Sequence, residues 1–227
     1  MNKIKLISLA ALICVPAMLL TSCARRLTVE DNGGAYYDKK DDVKYYLASP
    51  CYEPITVGED RYAKAGKNDF FEIEGLDPDK WLCRKDGAVY YAEGVKLPTL
   101  DEMDITYVDV TYESMTVGKI IDDGQIDELI ETFTEGESYY YANVKADISW
   151  GVKFFDTRLG IAYSIVYLEY AEDYEVKNSE GEFVNCGRKF LYDVYSGRFV
   201  AAGDTLDEIV ERYYKSLDDM TETTDGK

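Results

Sequence analysis

The amino-acid sequence predicts an α+β fold, in which antiparallel sheets of short strands carry two amphipathic helices packed on them. Two patterns support this class: short β-like runs recur between turn residues, and only two segments have helical periodicity. A third observation is the composition, with 21 tyrosines against 8 phenylalanines and 2 tryptophans. Tyrosine favours half-buried strands, where the ring packs and the hydroxyl stays hydrated.

Residues 1–22 have the pattern of a removable signal peptide. A short positively charged start precedes an apolar run over residues 6–20, and polar residues follow at once. A permanent membrane-spanning helix needs about 20 apolar residues, so this run is too short for one. Cys14 lies inside the run and is expected to be removed with it.

The end of this leader, Leu20-Thr21-Ser22-Cys23, resembles the lipobox of bacterial lipoproteins. The resemblance implies cleavage before Cys23, a diacylglycerol on the Cys23 sulfur, and often an acyl chain such as palmitate on its new amine. Two or three acyl chains anchor a protein stably, because each buried methylene contributes about 0.8 kcal/mol. We therefore expect a protein that is lipid-anchored to the cell membrane on its extracytoplasmic face.

The mature chain is expected to begin with a flexible tether over residues 23–42, because charged residues and the pair Gly33–Gly34 dominate this segment. An α+β domain over residues 43–217 follows. It forms either one unit or two modules with a boundary near residues 111–118. The polar residues 218–227 are expected to form a tail.

In the first half of the domain, β-like runs predict strands at residues 43–48, 55–57, 61–64, 70–73, 88–92 and 105–112. No helical pattern intervenes, which favours antiparallel pairing. A helix comes next, because Asp122 or Asp123 can cap its first turn and Gly136 can end it. Its apolar stripe consists of Ile126, Leu129, Ile130 and Phe133.

The second half returns to strands, predicted at residues 139–148, 152–155, 161–170, 174–177, 183–185, 189–194 and 198–201. Turn residues at 178–181 and 196–197 are typical of hairpins, so this half is interpreted as a meander. The segment from Thr205 to Glu208 has the capping-box pattern and predicts a final helix. Its apolar face consists of Leu206, Ile209, Val210, Tyr213 and Leu217.

The charge of the chain argues against two kinds of partner. The formal net charge is −19 at pH 7, and removal of the leader takes away Lys3 and Lys5 but no acidic residue. Nucleic acid and anionic lipid headgroups both need clustered basic side chains, which such a chain does not offer. The expected membrane contact is therefore the N-terminal lipid, and nucleic acid is not an expected partner.

The chain contains no histidine, which excludes Ser-His-Asp and Cys-His catalysis and zinc sites that use imidazole. No acidic segment has the spacing of a calcium loop, so no metal or other cofactor is expected. A glycosidase needs only two carboxylates, so the absence of histidine does not exclude carbohydrate hydrolysis. The sequence nominates no catalytic residue, because 44 acidic side chains offer no motif.

The cysteines of the domain are Cys51, Cys83 and Cys186, and none has the CxxC spacing. Outside the cytosol a disulfide is permitted, and Cys51 with Cys83 is the nearer pair. A bond between them is one prediction. The alternative is that Cys186 is a partner or stays reduced.

Adjacent aromatic residues are the candidate binding residues, because neighbouring side chains on a strand point to opposite faces. Rings on the outer face can form a platform for a glycan or a partner protein, or they can simply pair across strands. Trp81, which follows a proline turn, is the first residue to probe. The candidates are Trp81, Tyr90, Tyr91, Tyr139, Tyr140 and Tyr141.

The leading hypothesis is therefore a non-enzymatic, lipid-anchored protein of the cell envelope that binds a protein or a glycan. A carboxylate-dependent glycan hydrolase and a structural or assembly factor of an envelope complex are the alternatives.

Overall fold

The computed structural model describes residues 25–30, 34–113, 115–141 and 145–224, with side chains up to residue 216. The predicted leader and Cys23 lie outside these residues. Strands dominate the structure, together with two α-helices, α1 (Asp123–Glu135) and α2 (Asp207–Thr224), and a 3-10 turn at Leu100–Glu102. The observed class is therefore consistent with α+β, although it is mostly β. No helix in the described part of the chain is both long and apolar enough to cross a membrane.

Seven strands of the N-terminal part close into a barrel, a feature that the sequence did not predict. They are β1 (Arg25–Glu30), β2 (Ala35–Asp38), β3 (Val43–Leu47), β5 (Val57–Ala65), β6 (Asn68–Ile73), β7 (Trp81–Arg84) and β8 (Val89–Ala92). Their order around the barrel is β1-β2-β3-β8-β7-β6-β5. The barrel closes where β1 runs parallel to β5, with Arg25 opposite Ala63 and Arg26 opposite Lys64.

Aromatic rings fill the interior of the barrel. Tyr36, Phe70 and Tyr90 are almost fully buried and meet edge to face, with ring centroids 4.7 to 5.4 Å apart. This is the preferred arrangement of aromatic pairs. The Tyr36 hydroxyl oxygen accepts a hydrogen bond from Asn68 Nδ2 at 2.8 Å, so the one polar group of that ring is satisfied.

The prediction of a flexible tether over residues 23–42 is wrong for the described part of that segment. Strand β1 pairs with both β2 and β5, and β2 pairs in turn with β3. Leu27 and Tyr36 contribute to the barrel core, and the buried carboxylate of Asp38 lies 3.0 Å from Arg25 Nε. The pairing of β1 with β5 is to a distant part of the chain, so the local composition gives no sign of it.

The second half of the chain forms an antiparallel sheet in the order β10-β9-β11-β12-β15-β16. These strands are β9 (Tyr107–Tyr112), β10 (Met115–Ile120), β11 (Ile148–Asp156), β12 (Ile161–Glu169), β15 (Lys189–Tyr192) and β16 (Phe199–Ala201). A separate hairpin consists of β13 (Glu175–Lys177) and β14 (Phe183–Asn185).

The barrel and the second sheet share one hydrophobic core. Strand β4 (Tyr52–Pro54) lies between barrel strands in sequence but pairs with the start of β12. Trp81 and Val89 of the barrel belong to the same buried cluster as Val108 and Phe154 of the sheet. The predicted module boundary at residues 111–118 is wrong, because that segment is the hairpin of β9 and β10.

Helix α1 begins and ends where the sequence predicts. The Asp122 carboxylate accepts a hydrogen bond from the Gln125 backbone N–H at 3.0 Å, and Gly136 is the C-cap. Its residues Ile126, Leu129 and Phe133 are buried in the shared core.

Two other boundaries differ from prediction. The expected strand at residues 139–148 is absent as a continuous strand from the described residues. Tyr140 forms only an isolated bridge with Lys177, and Ile148 is the first residue of β11. The helix α2 continues to Thr224, so most of the predicted polar tail is helical.

The predicted disulfide is not formed. Cys51 and Cys83 are free thiols, both buried in the shared core, and Cys186 is free and half-buried. Burial raises the pKa of the Cys83 thiol to about 12. The two residues therefore pack as small apolar side chains.

Candidate functional site

An open cleft of about 420 Å³ lies where three segments meet. They are the segment after α1, the hairpin of β13 and β14, and the connection from β15 to β16. Four of the seven lining residues are tyrosines, and the lining consists of Ser138, Tyr139, Tyr140, Tyr141, Ser179, Tyr192 and Gly197. We call this cavity the tyrosine cleft.

Backbone hydrogen bonds hold the first segment in place. The Tyr139 N–H donates to the carbonyl of Phe199 at 2.7 Å, and the Tyr140 N–H donates to the carbonyl of Lys177 at 2.8 Å. The segment is thereby attached to both other walls. Because alternate side chains of an extended segment point in opposite directions, its three tyrosines present rings at different depths.

Arg198 connects the cleft to helix α1. Its Nε donates to the carbonyl of Phe133, and its Nη2 donates to the carbonyls of Thr134 at 2.8 Å and Gly136 at 2.7 Å. These carbonyls lack partners within the helix, and a cation at a helix C-terminus is favourable. The contact fixes the direction in which the chain enters the cleft at Ser138.

The rings of the cleft range from packed to exposed. Tyr141 packs against Tyr192 and Phe199, with ring centroids 4.3 and 5.2 Å apart. Tyr139 and Tyr192 are half-buried, whereas Tyr140 is 63% exposed. The packed or half-buried rings of the cleft therefore lie beside one exposed ring, that of Tyr140, which is accessible to a ligand.

None of the residues that line the tyrosine cleft is an acid or a base other than tyrosine, but the Glu137 carboxylate lies beside it and accepts a hydrogen bond from the Tyr139 hydroxyl at 3.3 Å. A hydrogen bond with Cys186, together with burial, raises the pKa of the Tyr139 hydroxyl. Burial and the neighbouring Tyr141 raise the pKa of Tyr192. Both hydroxyls therefore stay protonated at physiological pH and can donate and accept hydrogen bonds.

The β13–β14 hairpin extends the aromatic surface beyond the cleft. Phe183 is 67% exposed, and the Lys177 ammonium lies 5.0 Å from the centre of its ring. Lys177 also bridges to Tyr140 through the backbone. The exposed rings of Tyr140 and Phe183 thus flank one strand.

The structure separates the six predicted aromatic residues into two groups. Tyr139, Tyr140 and Tyr141 lie together in the tyrosine cleft. Trp81 and Tyr90 are 8% and 1% exposed, and Tyr91 is half-buried against Trp81. The first two are core residues, so their prediction as binding residues is wrong; they fill the shared core and the barrel.

Sequence reasoning missed Tyr192, Ser138 and Ser179 as lining residues. The predicted hairpin turn at residues 196–197 would place Tyr192 opposite Ala201, whereas the observed register places it opposite Phe199, so no sequence signal pointed to this residue. Ser138 and Ser179 lie in irregular segments and carry no periodic pattern.

A larger groove of about 600 Å³ lies beside the barrel and includes two carboxylates, Glu53 and Asp86. Glu53 lies 2.7 Å from Lys153 Nζ and accepts a hydrogen bond from Ser164 at 2.8 Å. The hydrogen bond from Arg84 holds the pKa of Asp86 below its usual range. Asp86 is therefore ionised at neutral pH and cannot act as the general acid that protonates the glycosidic oxygen in glycoside hydrolysis.

Two further findings bear on function. Among residues that the structure describes, no group of three or more acidic or cysteine side chains has the arrangement of a metal site. In comparisons with known proteins, no family model, no curated protein and no solved structure matches the chain.

Proposed function

We propose that the chain is a lipid-anchored protein of the bacterial cell envelope that binds a neutral glycan in the tyrosine cleft without cleaving it. The observation that carries the proposal is the lining of the cleft: four tyrosines, two serines and no charged side chain, in a chain of net charge −19. The lipobox at residues 20–23 supports the anchor and the extracytoplasmic location.

The chemistry of the tyrosine cleft suits a sugar. The apolar face of a pyranose ring packs on an aromatic ring, and Tyr140 offers the exposed one. Sugar hydroxyls need donors and acceptors in alternation, which the protonated hydroxyls of Tyr139 and Tyr192 and the two serines supply. Because no charged side chain lines the cleft, a neutral ligand can bind there without removing water from a charged group.

The binding site is also pre-ordered. We propose that both helices pack on the second sheet and that α1, through Arg198, fixes the first wall of the cleft. A rigid wall reduces the entropy that is lost when a ligand binds.

Substitution of the exposed cleft ring tests the binding site. We expect Tyr140→Ala to weaken glycan binding about 30-fold, since truncation of a central aromatic contact costs about 2 kcal/mol. Tyr140→Phe retains the stacking surface and should lose much less. The measurement is retardation in affinity gels that contain starch, β-glucan, xylan or mannan, followed by calorimetry on the glycan retained.

The matched control is Tyr214→Ala, which removes a ring that is 41% exposed and stacks on Trp150, away from the cleft. This variant should bind like the parent. Retention by none of the neutral glycans, or equal retention of the Tyr140→Ala and parent chains, would contradict the proposed site. Release of reducing ends that stops with Glu53→Gln would instead support the hydrolase alternative at the larger groove.

A second substitution tests the anchor. We expect Cys23→Ser to abolish incorporation of a fatty-acid probe and to leave the leader uncleaved by the lipoprotein peptidase, because the lipobox has no other acceptor. The measurement is in-gel detection of the probe in membranes of cells that express either chain. Labelling of the Cys23→Ser chain at the parental level would rule out the assignment.

A further inference from the structure

The strand directions give the barrel two distinct ends. One end carries the start of β1, the β2–β3 turn and the loop before β7; these hold Arg25, Lys40 and Asp79. The opposite end carries the β5–β6 and β7–β8 turns, with Lys67 and Lys85. We call the first of these the Arg25 end.

Arg25 fixes the start of β1 at this end. Its guanidinium Nε lies 3.0 Å from the buried Asp38 carboxylate, and it also contacts Asp41, Tyr62 and Asp79. It lies over the Tyr62 ring, 5.2 Å from the centroid. These partners belong to β2, the β2–β3 turn, β5 and the loop before β7, so the strand start is held from several sides.

Only one residue separates this fixed strand from the predicted acylation site. An extended chain advances at most about 3.6 Å per residue, so the two residue steps before Arg25 can span no more than about 7 Å. A diacylglycerol on Cys23 places that residue at the headgroup layer. A spacer of this length cannot lift the barrel away from the bilayer.

We infer that the Arg25 end of the barrel rests on the lipid headgroups and that the opposite end faces away from the membrane. The inference depends on the proposed lipid anchor and adds an orientation to it. Lys39, Lys40 and Lys80 are exposed at the Arg25 end beside Asp41, Asp42 and Asp77. This mixed-charge surface is compatible with hydrated headgroups, whereas the acyl chains supply the affinity.

The test compares two exposed lysines at opposite ends, Lys40 and Lys67. The acylated chain, carrying Cys186→Ser, is reconstituted in phosphatidylcholine vesicles that contain a nickel-chelating lipid. A spin label is attached to Lys40→Cys or Lys67→Cys. We expect relaxation by the nickel headgroups to be several-fold stronger at position 40 than at position 67.

A spacer variant gives the control. Insertion of about twelve Gly and Ser residues between Ala24 and Arg25 should leave acylation intact and remove most of the difference, because such a linker is flexible. Equal relaxation at both positions in the acylated parent would overturn the orientation alone. Absence of acylation, measured on the same samples by mass spectrometry, would overturn the orientation together with the lipid anchor.

Discussion

The free energy of unfolding should fall steeply as the pH rises from 10 towards 12. Burial raises the pKa of three tyrosines, Tyr45, Tyr52 and Tyr90, from 10.0 to about 12. A group whose pKa is higher in the folded state stabilises the fold fully below its unfolded pKa. That stabilisation is lost as the pH passes from the unfolded to the folded pKa, on the order of 1–2 kcal/mol for each such group.

Two more tyrosines strengthen this effect because they face carboxylates. Burial, with Asp193 nearby, raises the pKa of Tyr163, whose hydroxyl donates to Asp193 at 2.9 Å. The Tyr167 hydroxyl donates to Glu169 at 3.0 Å, and burial, with this carboxylate nearby, raises the pKa of Tyr167 as well. Ionisation of either hydroxyl would place two negative charges side by side in the core.

The measurement is denaturant unfolding of the purified chain at a series of pH values, together with tyrosinate absorbance. Tyr90→Phe serves as the matched control, since it keeps the ring but removes one ionisable hydroxyl, and it should reduce the loss of stability at high pH. Stability that remains constant from neutral pH to pH 12 would contradict the buried state of these hydroxyls.

A second large effect is expected for Gly160→Ala. This glycine has φ of +65°, and an added Cβ would lie 2.2 Å from the carbonyl oxygen of Glu74. The positive φ costs about 1–2 kcal/mol for an alanine, and the overlap with backbone forces β12 and the end of β6 apart. We expect the free energy of unfolding to fall by about 3 kcal/mol or more.

Gly66→Ala separates these two contributions. Gly66 has φ of +58°, but nothing lies within 4 Å of an added Cβ. This variant should lose only the cost of the positive φ, about 1–2 kcal/mol. The measurement is the denaturation midpoint of both variants and the parent. Equal losses at the two glycines would mean that Glu74 does not lie against Gly160.

The sequence predicted best those elements whose signals are local. Helix α1 was located to within one residue, because Asp122 caps it, Gly136 ends it and its apolar residues recur with helical spacing. The strand at residues 183–185 was predicted with the observed bounds, since turn residues flank it on both sides. In these cases the residues that define an element lie within or beside it.

The barrel was not predicted because its closure depends on two strand pairs that join distant parts of the chain, β1 with β5 and β3 with β8. In β1 only Leu27 is buried, and Val29 is 47% exposed, so burial does not alternate along the strand. Its partner β5 lies far along the chain. Strand β10 was missed because residues 111–118 were interpreted as a possible module boundary; its pairing register shifts between Thr116 and Gly118.

The tyrosine cleft was half predicted. Consecutive tyrosines at positions 139–141 gave a signal that adjacent rings point in opposite directions, and these residues line the cleft. The same argument failed for Tyr90 and Tyr91, because a strand in a closed barrel that also packs on a second sheet has little free outer face. Which doublet is exposed depends on tertiary packing that local sequence does not encode.

Strand β4 has a consequence for biogenesis. Its partner, the start of β12, is synthesised long after it, so β4 lacks this pairing while the intervening chain emerges. Until then the half of the shared core that the barrel contributes, around Trp81 and Val89, stays uncovered. An exposed apolar surface and a free strand edge are what chaperones bind. The late arrival of β12 thus defines a period during synthesis in which the emerging chain is prone to aggregate.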